Sequence, residues 1–173
     1  MTVKALGRLF DVGHQIAPVA DLAAGANTGA RIHLKNYGGV AFVLYKGAAS
    51  AGTDDVVVDV QEHTAATGGT SRDLDVTTEL FVKSEATLDG DEAWTRVTQT
   101  AASETTLAGA TYAALQVIAV IEVRAEQLSD DAEWVSVNIA DPGTGGTIPG
   151  CVLAIMSELA VQRTPQNLAQ PNA

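Results

Sequence analysis

Short apolar runs rich in Val, Ile and Thr recur along most of the chain, separated by clusters of Gly, Ser, Thr, Asn and Asp. Turn-forming clusters fall at 23–30 (AAGANTGA), 47–55 (GAASAGTDD), 67–73 (TGGTSRD), 88–92 (LDGDE), 128–133 (LSDDAE) and 141–150 (DPGTGGTIPG). Short strands bounded by such turns predict an all-β sandwich or barrel. In 30–37, Ile32 and Leu34 alternate with Arg31, His33 and Lys35, the period-two pattern of a half-buried strand. In 132–140, Val135, Val137 and Ile139 alternate with Trp134, Ser136 and Asn138. Segment 40–46 is apolar on both faces and is therefore expected in the middle of a sheet, and 150–158 reads as a buried strand. Segments 74–83 and 92–99 alternate more weakly. Segment 112–128 contains Ala and Glu, which favour helix. Its Val117, Ile118, Val120, Ile121 and Val123 are β-branched and pack poorly in helices, so it is expected to be a long strand.

The expected architecture is one β-sandwich domain over 27–160, with an N-terminal arm or extension at 1–26 and an irregular C-terminal tail at 161–173. A chain of 173 residues is long enough to bury a core without a disulfide or metal staple. The single Cys151 lies in PGCVLAIM and reads as a buried thiol rather than a nucleophile. The N-terminal residues have no apolar signal-peptide region, and no run of about 18 apolar residues is present to span a membrane.

Charge narrows the functional classes. Five basic residues face two acidic ones in 1–50, whereas four basic residues face 18 acidic ones in 51–142. With a net charge of −11, nucleic-acid phosphates would be repelled, so nucleic acid is not an expected partner. The densest candidate site is DDVVVDVQEHT (54–64). On a strand, Asp59 and His63 share a face but stand about 13 Å apart, too far to hold one metal. A turn at Asp54 and Asp55 followed by a strand with a polar outer face is the better reading. No HxxxH, CxxC or GxSxG spacing exists, and GTGGT (143–147) lacks the lysine of a phosphate loop. DGDEAW (89–94) lacks the later EF-hand ligands and reads as a turn, with adventitious calcium as the alternative. Trp94 and Trp134 are expected as core or interface anchors, with a sugar platform as the alternative. No enzyme activity, cofactor or resident metal is expected.

The succession KNYGGVAFVLYKGAASAGTDDVVVDVQEH, WTRV, VIEVRAEQL and WVSVNIADPG…GCVLAIMSEL resembles the head decoration, or cement, proteins of tailed bacteriophages, over about residues 15–160. The resemblance implies a jelly-roll-like β core. It also implies a virion location on the capsid surface after synthesis in the host cytoplasm, and a structural role bridging neighbouring subunits of the major capsid protein. Such proteins usually act as homodimers or homotrimers. In that setting the arm, through Leu6, Leu9, Phe10, Ile16 and Val19, would lie across a neighbour, and its removal (residues 1–20) would leave the sandwich folded. The alternatives are a tail or adsorption protein and, from another class, a carbohydrate-binding domain or small hydrolase.

Overall fold

A computed structural model describes residues 9–22, 25–141 and 146–160. In chain order the strands are β1 (Phe10–Val19), β2 (Asn27–Thr28), β3 (Ile32–His33), β4 (Tyr37–Lys46), β5 (Val56–His63), β6 (Ser71–Asp73), β7 (Thr77–Glu85), β8 (Thr95–Ala102) and β9 (Glu104–Leu107). A one-turn helix α1 (Gly109–Tyr112) leads into β10 (Gln116–Arg124), followed by β11 (Trp134–Ile139) and β12 (Gly150–Leu159). They form two antiparallel sheets. The first, with order β1-β12-β4-β10-β7-β8, has six strands. The second is built on β11 and β5, with β2 and β3 sharing one side of β11 and β6 and β9 sharing one side of β5. The expected all-β sandwich is therefore the fold.

The alternation in the sequence sets which side chains fill the gap between the sheets. Val40, Phe42 and Leu44 of β4, Val117, Ala119, Ile121 and Val123 of β10, and Val152, Ala154 and Met156 of β12 point inward. Val56, Val58 and Val60 of β5 and Val135, Val137 and Ile139 of β11 complete the same core. Each of these valine, leucine, isoleucine, phenylalanine and methionine side chains contributes roughly 1.5–3 kcal/mol on burial. Strand β4 lies between β12 and β10, the central position expected from its double apolar pattern.

The stretch read as an arm needs correction. Phe10–Val19 is β1, hydrogen-bonded along β12 from Phe10 opposite Ser157 to Val19 opposite Gly150. Ile16 is 5% exposed and belongs to the core, and Val19 packs against it, so neither is free to lie across a neighbour. Phe10 is half-buried, Leu9 is exposed, and Leu6 lies outside the described residues. Gln15 explains why β1 is integral. Strands β2 and β3 pair with β11 on either side of residues 136–137. In that gap the Val137 N–H donates to Gln15 Oε1 at 3.0 Å, while Gln15 Nε2 donates to the Ala30 carbonyl at 2.5 Å. Gly29 fits beside this tie because a Cβ there would overlap the Val137 carbonyl. Removing residues 1–20 would therefore cut into the core. The segment 30–37 is also less regular than expected, since Ile32–His33 is its strand and residues 34–36 turn before β4 begins at Tyr37, although Ile32 and Leu34 do face the core.

Candidate interaction surface

The acidic stretch 54–64 resolves into a turn and a strand. Asp55 Oδ1 accepts the Gly109 N–H at 2.7 Å, which fastens the start of α1 to the turn before β5. Glu62 lies on the core side of β5, where burial pushes its pKa up. Three contacts outweigh that and hold it low: the Ser129 N–H at 2.8 Å, the Ser129 hydroxyl at 2.7 Å and Arg72 Nε at 2.8 Å. Arg72 also bridges to Asp131.

The polar face of β5 is not open to solvent throughout, contrary to expectation. His63 is 3% exposed, with Nδ1 2.8 Å from Ser71 Oγ and Nε2 2.8 Å from Ser136 Oγ. Burial, helped by the nearby Arg31 charge and opposed by Glu62, lowers its pKa to about 4. A neutral imidazole suits two hydroxyl partners, because one ring nitrogen donates and the other accepts. The His63–Ser136 contact has the spacing of a catalytic pair, but Ser136 is only 1% exposed, so a substrate carbonyl has no route to its hydroxyl. Asp59 lies farther along the same face, where burial raises its pKa and Asp73 adds to the effect. Its Oδ2 accepts from Gln61 Nε2 at 2.8 Å.

Two further sequence candidates take definite places. Trp134 is buried and stacks on His33, with ring centroids 4.3 Å apart. Trp94 is 51% exposed, with Lys83 Nζ 5.1 Å from its ring centroid. Beside it, DGDEAW forms an acidic corner in which one oxygen each from Glu85, Asp89, Asp91 and Glu92 lie within 4.8 Å of one another. Such a set of oxygens is the donor type that hard cations take. Glu85, the last residue of β7, joins the three loop carboxylates from four residues upstream. Residues 142–145 of the glycine-rich loop lie outside the described residues.

The largest chemical feature is the outer face of the six-stranded sheet. Register places its outward side chains in rows across the strands. One row runs from His14 through Leu153, Val43 and Val120 to Phe81. A second runs from Cys151 through Tyr45 and Ile118 to Lys83, and a third from Val12 through Ile155 to Ala41. Val12, Tyr45 and Leu153 are 50%, 47% and 42% exposed. These rows hold five, four and three positions, and with strands about 4.8 Å apart and rows about 6.7 Å apart they cover roughly 390 Å². That lies within the range of the largest apolar patches on monomers, which are often functional.

The margins of this face are mixed in charge. Glu79 pairs with Arg96, and Arg124 Nη1 lies 3.8 Å from Glu158. Glu122 and Arg124 separate two shallow hollows of about 190 and 160 Å³, the first floored by Gly38, Gly39 and Ala41 and the second walled by Phe81 and Glu79. An apolar notch of about 400 Å³, bounded by Pro18, Val19, Tyr45, Pro149 and Cys151, continues the face at its opposite end. Cys151 is thus half-buried on this surface rather than in the core.

No family model, curated protein or solved structure matches the chain. Among the described residues, no helix is long and apolar enough to cross a membrane.

Proposed function

We propose that the protein is a structural assembly part: a virion protein that binds the outer surface of a tailed-phage capsid and stabilises the head by bridging neighbouring capsid subunits. The observation that carries this reading is the outer face of the first sheet. Through their middle residues strands β4, β10 and β12 are apolar on both sides, yet among the described residues only one side is covered. A sandwich that exposes Val12, Tyr45 and Leu153 together is built to be covered by protein. The sequence resemblance supplies the setting, in which an icosahedral lattice repeats one site many times and modest contacts suffice when copies act together. The edge strands β1 and β8 offer main-chain groups for pairing with a neighbouring sheet. The acidic surface elsewhere would keep a densely coated particle soluble.

The test is co-sedimentation of the purified protein with expanded capsids that lack it, and with unexpanded ones. Saturable binding to expanded capsids alone, with a rise in their melting temperature, is expected. Failure to bind either form would overturn the proposal.

The exposed Trp94 beside the acidic corner favours a second reading, a carbohydrate-binding domain. Lys83 already covers one side of that ring. Quenching of tryptophan fluorescence by glycans, lost in Trp94→Ala, would favour the sugar reading over the capsid one.

A further inference from the structure

We infer that the hollow between β7 and β10 binds an arginine side chain of a partner protein, its guanidinium seated against Glu122 and Phe81. The inference adds one specific contact to the assembly reading, and its test is independent of that reading.

The hollow exists because the sheet splits. β10 pairs with β7 from Gln116 opposite Glu85 to Val120 opposite Phe81, and there the pairing stops. β10 continues along β4 to Arg124, while the other arm of the split, Thr77–Leu80, stays paired with β8. Two residues beyond Val120 and Phe81, the same register would set Glu122 opposite Glu79. Like charges directly opposite each other destabilise a strand pair, which accounts for the parting at that point. The opening has a volume of about 160 Å³ and is lined by Glu79, Phe81, Val120 and Glu122, with Thr77 and Gln127 also on its wall. Gln127 holds the split in place, since its Oε1 accepts the Arg124 N–H at 2.8 Å.

Two oxygen groups on this wall are unmet. Glu122 is exposed, and its carboxylate makes no hydrogen bond or ion pair with any described residue. The neighbouring carboxylates do have partners, Glu79 with Arg96 and Glu158 with Arg124. The Arg124 Nη1 lies 3.8 Å from Glu158 on β12, so the nearest cation of the chain's own is turned towards the far side of β4. Independently, Thr77 is 2% exposed, and its Oγ1 is buried with no partner among the described residues. Buried polar atoms left unpaired are rare, and each calls for an explanation.

A carboxylate only accepts, and a hydroxyl oxygen can accept, so the missing ligand is a donor. One free carboxylate is too few for a hard cation such as calcium, which takes about six to eight oxygens. A guanidinium fits better. It carries only donors, arranged as a planar fork that matches a carboxylate, and its face stacks on an aromatic ring such as Phe81. The volume is well below the roughly 300 Å³ of a small-molecule pocket, so the ligand enters as the end of a side chain. Phe81 and Val120 also belong to the apolar rows of the outer face. A protein segment laid on those rows therefore delivers the side chain to the hollow. One such contact is weak alone and gains strength where a lattice repeats it.

The probe is an acetylated, amidated alanine–arginine–alanine peptide, titrated into the full chain to about 10 mM and followed by nuclear magnetic resonance. Saturable shifts of the Gln127 side-chain amide and of the 122–124 backbone amides are expected. The citrulline counterpart, which keeps the shape and loses the charge, should not saturate. Glu122→Gln should weaken binding about five-fold or more, the upper end for an exposed ion pair. Thr77→Val should weaken it about three-fold while leaving the urea midpoint unchanged or higher, because the hydroxyl it removes has no partner to lose. A purely structural Thr77 would not move peptide binding. Asp89→Asn, in the loop at the opposite end of β7, should leave binding unchanged. Circular dichroism checks that each variant folds. No saturable shift at these residues would overturn the inference, as would equal binding of the citrulline peptide. So would an Asp89→Asn effect as large as that of Glu122→Gln, since attraction to the acidic surface at large would then explain the binding. Peptide binding by a protein that ignores expanded capsids would uphold the inference and count against the capsid role.

Discussion

Lowering the pH from 7 to 5 should cost the fold about 2 kcal/mol through His63 alone. The imidazole is buried between the Ser71 and Ser136 hydroxyls, and its pKa falls from 6.5 to about 4. Between those two values the unfolded chain binds a proton at this position and the folded chain does not. Protonation therefore favours unfolding, and the stability from this group is lost as pH falls from 6.5 towards 4. A difference of about 2.5 pKa units corresponds to about 3 kcal/mol in full, of which roughly 2 kcal/mol falls between pH 7 and pH 5. The assay is urea unfolding at both pH values for wild type and His63→Gln. Subtracting the change seen in His63→Gln from that of wild type removes the groups that the two proteins share. A wild-type slope equal to that of His63→Gln would refute the reasoning, since it would mean that His63 takes up its proton as readily folded as unfolded.

Two other buried polar groups give separate tests. Gln15→Leu leaves the Val137 N–H and Ala30 carbonyl without their side-chain partner. It should lower the unfolding free energy by about 2–4 kcal/mol, read as a lower urea midpoint, with one unsatisfied group costing about 1–3 kcal/mol. Lys46 donates to the Gly47, Tyr112 and Leu115 carbonyls at 3.1, 2.7 and 2.9 Å, and burial lowers its pKa to about 8. Between pH 8 and 10.5 the unfolded chain holds this proton and the folded chain releases it, so stability should rise by up to about 3 kcal/mol. Lys46→Met should lack that rise, and equal slopes for the two proteins would contradict it.

Period-two alternation carried most of the fold. The runs at Val56–His63 and Trp134–Ile139 placed their inward valines and isoleucine correctly, and the β-branched cluster at Val117–Val123 outweighed the helical propensity around it. β1 was not legible as a strand. Register shifts between His14 and Ile16, and again before Val19, break the alternation, so FDVGHQIAPV shows no clean apolar face. Its anchor is a glutamine whose partners are Ala30 and Val137, and a buried polar residue cannot be distinguished from a surface one before those partners are brought together. The same holds for His63, whose hydroxyl partners come from β6 and β11. The interaction surface was legible in part. The double apolar pattern of 40–46 correctly implied a central place in its sheet, but a pattern within one chain does not reveal what lies over its second apolar face.

The proposed role is that of a coat component of an assembled particle. Quantitative mass spectrometry of purified virions, giving the ratio of this chain to the major capsid protein, tests that directly. A copy number of the same order as the capsid subunits, retained through purification, is expected. Absence from the particle, or only the few copies that a tail or vertex component would show, would contradict it.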